Sequence, residues 1–248
     1  MKELNQHIHS AFDKDLEGIQ AQIMKMGGLA EAAIANAAKS LETRDEELAE
    51  KVRRGDAVID ALEDTLNEDA ARVIALRGPT ASDLRLVLSV IRISTNLERI
   101  GDLSKNIAKR TGVLAQMQPI GGTATSLRRM AREVELMLKD ALDSYIQRDE
   151  ALALDVIDRD RDVDQMHNTL FREFLTFMME DPRNITACMH LHFIAKNLER
   201  AGDHVTSIAE QVVFLTSGVK PGSDERVKED VTSSDASLSM DVPTEGDD

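Results

Sequence analysis

Asn96-Leu97-Glu98-Arg99-Ile100-Gly101-Asp102 returns 101 positions later as Asn197-Leu198-Glu199-Arg200-Ala201-Gly202-Asp203. An upstream block repeats as well, at an offset of 104. There Arg44, Asp45, Glu46, Leu48, Val52, Asp56 and Asp60 reappear as Arg148, Asp149, Glu150, Leu152, Val156, Asp160 and Asp164. Pro79 maps to Pro182, so the small change of offset falls at an inter-helix turn, where insertions are tolerated. The chain is therefore a tandem duplication of two units of about a hundred residues. Such a unit is too long, and present in too few copies, for a solenoid.

Apolar residues within each unit recur at steps of three and four, the spacing of a helix with one buried stripe. The first segment carries Ile19, Ile23, Met26, Ala30, Ala33, Ala37 and Leu41, and the second Leu48, Val52, Ile59, Leu62 and Leu66. The third runs through Leu84, Leu88, Ile91, Leu97, Ile100 and Ile107. None of the five prolines interrupts a periodic segment. Arg77-Gly78-Pro79-Thr80 separates the second helix from the third, with Thr80 or Ser82 as the cap. Gln118-Pro119-Ile120-Gly121-Gly122-Thr123 separates the halves. The spacing predicts an all-α fold of two tandem antiparallel three-helix bundles, over residues 1–118 and 119–219. The segment 220–248 has few large apolar residues and no helical stripe, and reads as a disordered acidic tail.

Composition narrows the function. Of 248 residues only 3% are aromatic and 30% are charged, which disfavours a β sandwich or barrel. A net charge of −15 argues against nucleic acid as partner, since phosphate binding calls for clustered Lys and Arg. No apolar run is long enough to span a bilayer, and the N-terminus lacks a signal-peptide run, so a cytoplasmic protein is expected. The single cysteine, Cys188, excludes a disulfide framework or thiolate metal site and reads as a core residue. Met130, Met137, Met178 and Met179 read as core filler. His190 and His192, two apart, point to different faces, and His204 reads as a bystander beside Asp203.

The chemistry lies in four same-face carboxylate pairs at i,i+4: Asp56/Asp60, Glu98/Asp102, Asp160/Asp164 and Glu199/Asp203. Asp60 and Glu98 each lie 19 residues from Pro79, and Asp56 and Asp102 each 23. In an antiparallel hairpin, equal distances from the turn mean equal heights along the axis, so the four carboxylates meet at one level. Asp164 and Glu199 lie 18 and 17 residues from Pro182, and Asp160 and Asp203 lie 22 and 21. Asp56 and Asp160 fall within the apolar stripe, where a carboxylate needs a counter-charge or a cation. Metal ions with oxygen ligands would supply one remedy for the repulsion, and Arg99 and Arg200 another. Gly101 and Gly202, mid-helix beside these pairs, leave two readings open: close helix approach or room next to the carboxylates, and tolerated drift.

Ala81-Ser82-Asp83-Leu84-Arg85 after Gly78-Pro79, together with the two Leu-Glu-Arg-x-Gly-Asp segments, resembles the signatures of the PhoU family. Asp56-x-x-Ile59-Asp60 and Asp160-x-x-Val163-Asp164 are similar to that family's second-helix pattern. The resemblance covers about residues 5–218 and departs at Ala201 and in the tail. It implies a cytoplasmic, non-enzymatic regulator that restrains the phosphate-starvation response. Its implied partners are a phosphate ABC transporter, through the ATPase subunit, and a sensor histidine kinase. It also implies multinuclear iron or zinc, ahead of magnesium or calcium, on Asp56, Asp60, Glu98, Asp102, Asp160, Asp164, Glu199 and Asp203. Homodimerisation stays open. So do two other readings: a carboxylate-bridged metalloenzyme and a plain structural adaptor. The first calls for Glu-x-x-His pairs, and none occurs; the nearest match is Asp164-x-x-His167.

Overall fold

The computed structural model describes residues 2–79, 81–219 and 221. The capping expected of Thr80 or the Ser82 side chain, and the disorder expected of the tail beyond Pro221, fall outside what is described. Six helices follow in order: α1 (Lys2–Thr43), α2 (Glu46–Arg77), α3 (Ala81–Ala115), α4 (Thr123–Gln147), α5 (Glu150–Glu180) and α6 (Ile185–Ser217). No strand occurs among the described residues.

The duplication is visible in the joints between helices. Arg44 and Arg148 both adopt the left-handed conformation, with φ of 56° and 57°. The next residue caps the following helix in each copy: Asp45 accepts from Leu48 N–H at 2.9 Å, and Asp149 from Leu152 N–H at 3.1 Å. A carboxylate in that position satisfies an amide left without a partner and favours the helix dipole. The second turn differs between copies. Gly78 ends α2 with φ of 53°, a conformation that costs glycine little. Asp181 instead leads into a single 3₁₀ turn, Pro182–Asn184, before α6.

Helices α1, α2 and α3 pack together, as do α4, α5 and α6, giving two antiparallel three-helix bundles. The bundles also join through α3 against α6 and α1 against α4. Four helices thus make a central layer, with α2 and α5 outside it, and one apolar core runs through both bundles.

That junction corrects the expectation of one stripe per helix. Along its first half α3 buries Leu86, Val87 and Val90, while Leu84 is half-buried and Leu88 is 43% exposed. A helix touching α1, α2 and α6 must be apolar on more than one side, so periodicity alone misassigns the edges of its buried face. Met130 and Met137 are fully buried as expected, but Met179 is 78% exposed and fills no core. It lies in the last turn of α5, where Phe177 and Met178, rather than Met179, pack against the core. Cys188 is fully buried.

Polar groups also cross the junction. Arg128 of α4 donates to the Ala35 carbonyl of α1 at 3.2 Å and to the buried Glu135 carboxylate at 2.8 Å. Arg132 reaches the other oxygen of Glu135 at 2.9 Å, so that carboxylate is buried with two guanidinium partners. On the α3–α6 side, the Arg110 guanidinium lies over the Phe193 ring, 4.3 Å from its centroid, and contacts His190 Nδ1 at 3.2 Å. His204 Nδ1 meets Asn96 Oδ1 at 2.9 Å, so His204 helps join the bundles.

Candidate functional site

The first carboxylate cluster forms where α2 and α3 lie side by side. Asp56, 4% exposed, faces α3 from within the apolar stripe between Val52 and Ile59. Opposite it stands Gly101. A Cβ there would lie 3.3 Å from Asp56 Oδ1 and 3.0 Å from Ile59 Cδ1, so the missing side chain is what lets the helices approach. Asp60 and Glu98 sit further toward the Pro79 turn, with Glu63 beside them; Thr95 donates to Glu63 Oε1 at 2.8 Å.

Electrostatics place these groups within reach of one another. Burial pushes the Asp60 carboxyl up from its ordinary 3.8, and the charges of Asp56, Asp102 and Glu63 push it the same way. Burial also raises Glu98 from 4.5, against the pull of Arg99, with Asp102, Glu63 and Asp60 adding to the rise. Such coupling between α2 and α3 carboxylates is in keeping with the similar distances of Asp60 and Glu98 from Pro79.

Lys105 was not anticipated. Its ammonium bridges the helices, donating to Asp56 Oδ2 and to Asp102 Oδ1, the latter at 3.2 Å. The hydrogen bond to Asp56 is the largest influence holding that ammonium protonated well above its ordinary range. Arg99, one of the two counter-charges expected, also contacts Glu98 at 3.4 Å and Asp102 at 3.8 Å, from an exposed position. The signal for Lys105 was present in the spacing, because it stands at i+3 from Asp102. That it turns inward to Asp56 depends on how closely α2 and α3 approach.

The second cluster has the same framework and different trimmings. A Cβ on Gly202 would lie 3.4 Å from Asp160 Oδ1, so α5 and α6 meet there as α2 and α3 do. Glu199, 5% exposed, accepts from Lys196 at 3.0 Å. Asp164 and Asp203 are half-buried on α5 and α6. His167 takes the place of Glu63, lies near enough to Glu199 to feel its charge, and has its ring centroid 5.8 Å from that of His192. Burial holds both imidazoles below their ordinary value.

Eight carboxylates supply oxygen donors suited to hard or borderline cations, and the Asp56 Oδ1 atom is buried without a hydrogen-bond partner. Among the described residues, no three His, Cys, Asp or Glu side chains are gathered closely enough to hold an ion as they stand. A groove of about 290 Å³ between α4 and α5, lined by Arg129, Glu133, Asp162, Gln165 and Glu173 among others, contains none of the eight.

The raised carboxyls carry a pH dependence. A carboxyl raised in the folded state binds its proton more tightly there than in the unfolded chain. Stability therefore falls as pH climbs from the ordinary value through the raised one. In metal-free buffer, Asp60→Asn with Glu98→Gln is expected to raise the urea midpoint at pH 7. The gain should vanish as pH falls below the ordinary values of 3.8 and 4.5. Urea titrations of both proteins across that range check it.

A duplicated helical bundle with same-face acidic pairs on two helices of each half is the class of protein these features define. The PhoU domain family model matches residues 23–111 and again residues 127–212, one match in each half. A phosphate-specific transport system accessory protein PhoU homolog from Rhizobium meliloti (strain 1021) is 45% identical over 227 residues, covering 92% of this chain and 95% of its own. A homolog of the same name from Caulobacter vibrioides is 43% identical over 230 residues, 93% of this chain and 100% of its own. The crystal structure of PhoU from Pseudomonas aeruginosa superposes with a TM-score of 0.82 at 36% identity, covering 84% of this chain and 100% of that one. That of the phosphate transport system regulatory protein PhoU from Streptococcus pneumoniae gives 0.79 at 28% identity, covering 85% and 99%. The chain belongs to the PhoU family. These relatives are named accessory or regulatory proteins rather than enzymes, and the chain is a protein of that kind.

Proposed function

We propose that this chain is the accessory protein of a phosphate-specific transport system and restrains the phosphate-starvation response when phosphate is plentiful. In this reading it works at the cytoplasmic side, coupling the ATPase subunit of a phosphate ABC transporter to a sensor histidine kinase. The observation that carries the reading is full-length likeness: relatives named for that transport system match over 95% and 100% of their own lengths. No described helix is long and apolar enough to cross a membrane, which suits a protein that docks onto a transporter.

The two acidic clusters are proposed as its cation sites, for iron or zinc. The Asp60 and Glu98 carboxyls, raised first by burial and then by neighbouring acidic charges, and the orphaned Asp56 oxygen support that assignment. A plain structural role has one observation in its favour, since Lys105 already supplies Asp56 with a counter-charge. Purified protein analysed for metal, beside a Glu98→Ala/Glu199→Ala variant, separates the two: the structural role predicts no bound metal and no phenotype.

Deleting the gene is expected to switch on phosphate-scavenging genes in phosphate-replete medium, and restoring it to silence them. A deletion strain that keeps those genes silent would sink the regulatory reading.

A further inference from the structure

We propose that Lys105 is a tethered counter-cation of the first acidic cluster, whose ammonium competes with a divalent metal ion for Asp56 and Asp102. This role presupposes the cation-binding reading of the clusters. Asp56 is 4% exposed, and its Oδ1 has no hydrogen-bond donor although Oδ2 is paired with Lys105. One ammonium therefore meets half of what a buried carboxylate demands. The orphaned oxygen lies beside Gly101, 3.3 Å from where a Cβ on that residue would stand, so α2 and α3 are close at this level. A doubly charged ion with several coordination positions would satisfy that carboxylate more fully than one primary ammonium.

The duplication sharpens the assignment. Position 206, the counterpart of Lys105, is Thr206, whose hydroxyl donates to the Gly202 carbonyl of its own helix at 3.0 Å. The lysine of the second cluster is Lys196, which donates to Glu199 at 3.0 Å. Its counterpart in the first copy is Thr95, which donates to Glu63. The two copies have exchanged lysine and threonine between opposite ends of the cluster. A general need for positive charge near eight carboxylates does not dictate such an exchange; it places the first cluster's ammonium on the Asp56–Asp102 end. Because the Lys105 stem is flexible and 42% exposed, the ammonium can swing into water when an ion takes its place.

The test titrates zinc(II) into full-length wild type, Lys105→Met, Lys105→Arg and Lys105→Met/Asp56→Asn by calorimetry, after chelator treatment. Zinc binding at least tenfold tighter in Lys105→Met, unchanged in Lys105→Arg and lost again on adding Asp56→Asn, is the expected result. Zinc bound equally by wild type and Lys105→Met overturns the competition while leaving the cation sites standing. Zinc bound by none of the four overturns both. Should Lys105→Met fail to fold, wild type alone decides: acetylation of Lys105, followed by mass spectrometry, should rise severalfold when zinc is added. Unchanged reactivity on a zinc-loaded protein overturns the proposal.

Discussion

Leu97→Ala is expected to lower the unfolding free energy by about 2–5 kcal/mol, the range for a fully buried leucine whose neighbours close in only partly. Leu97 has no exposed surface and lies on α3, the helix that packs against α1, α2 and α6 at once. A cavity there is felt in both bundles, because one apolar core runs through them. The urea midpoint should fall with the slope unchanged, since the surface exposed on unfolding stays the same. Leu88→Ala, on the same helix but 43% exposed, should stay within about 0.5 kcal/mol of wild type. A pair of equal losses would mean that α3 does not sit between the bundles.

Gly101→Val is expected to cost about 1–3 kcal/mol, the usual range for overpacking a filled interface. The added Cβ alone meets Ile59 Cδ1 at 3.0 Å and Asp56 Oδ1 at 3.3 Å, and the two methyl groups beyond it have less room still. Relief requires α2 and α3 to part, which also loosens the Asp56–Lys105–Asp102 bridge. Gly55→Ala provides the control of opposite sign. Gly55 is mid-helix on α2 with nothing within 4 Å of its Cβ position, so alanine should stabilise by about 0.5–1 kcal/mol through helix propensity. Urea unfolding of the two variants measures both, and a stabilised Gly101→Val would contradict the close approach.

Much of the architecture was legible in the sequence. The recurrence of Arg44-Asp45 at Arg148-Asp149 marks two equivalent joints, and each proves to be a left-handed residue followed by an aspartate cap. The distances of Asp60 and Glu98 from Pro79 place two carboxylates at one height without coordinates, because helical rise is constant along a straight helix. Both glycines flagged beside the carboxylates stand where helices approach. Leu88 departs from the expectation drawn from periodicity, and Met179 from the one drawn from its residue type. Periodicity reports which residues share a face, but only the neighbours decide whether that face is covered.

The sequence by itself therefore determined the six helices, their duplication, their antiparallel pairing and the four same-face carboxylate pairs. All of these follow from spacing along the chain. Tertiary structure alone decided that the bundles merge through α3–α6 and α1–α4 into one core. It also decided that Lys105 turns inward to Asp56 and that His167 and His192 share the second cluster's surroundings. These depend on distances of a few ångströms between segments far apart in the chain, and such distances are set by packing rather than by any local pattern.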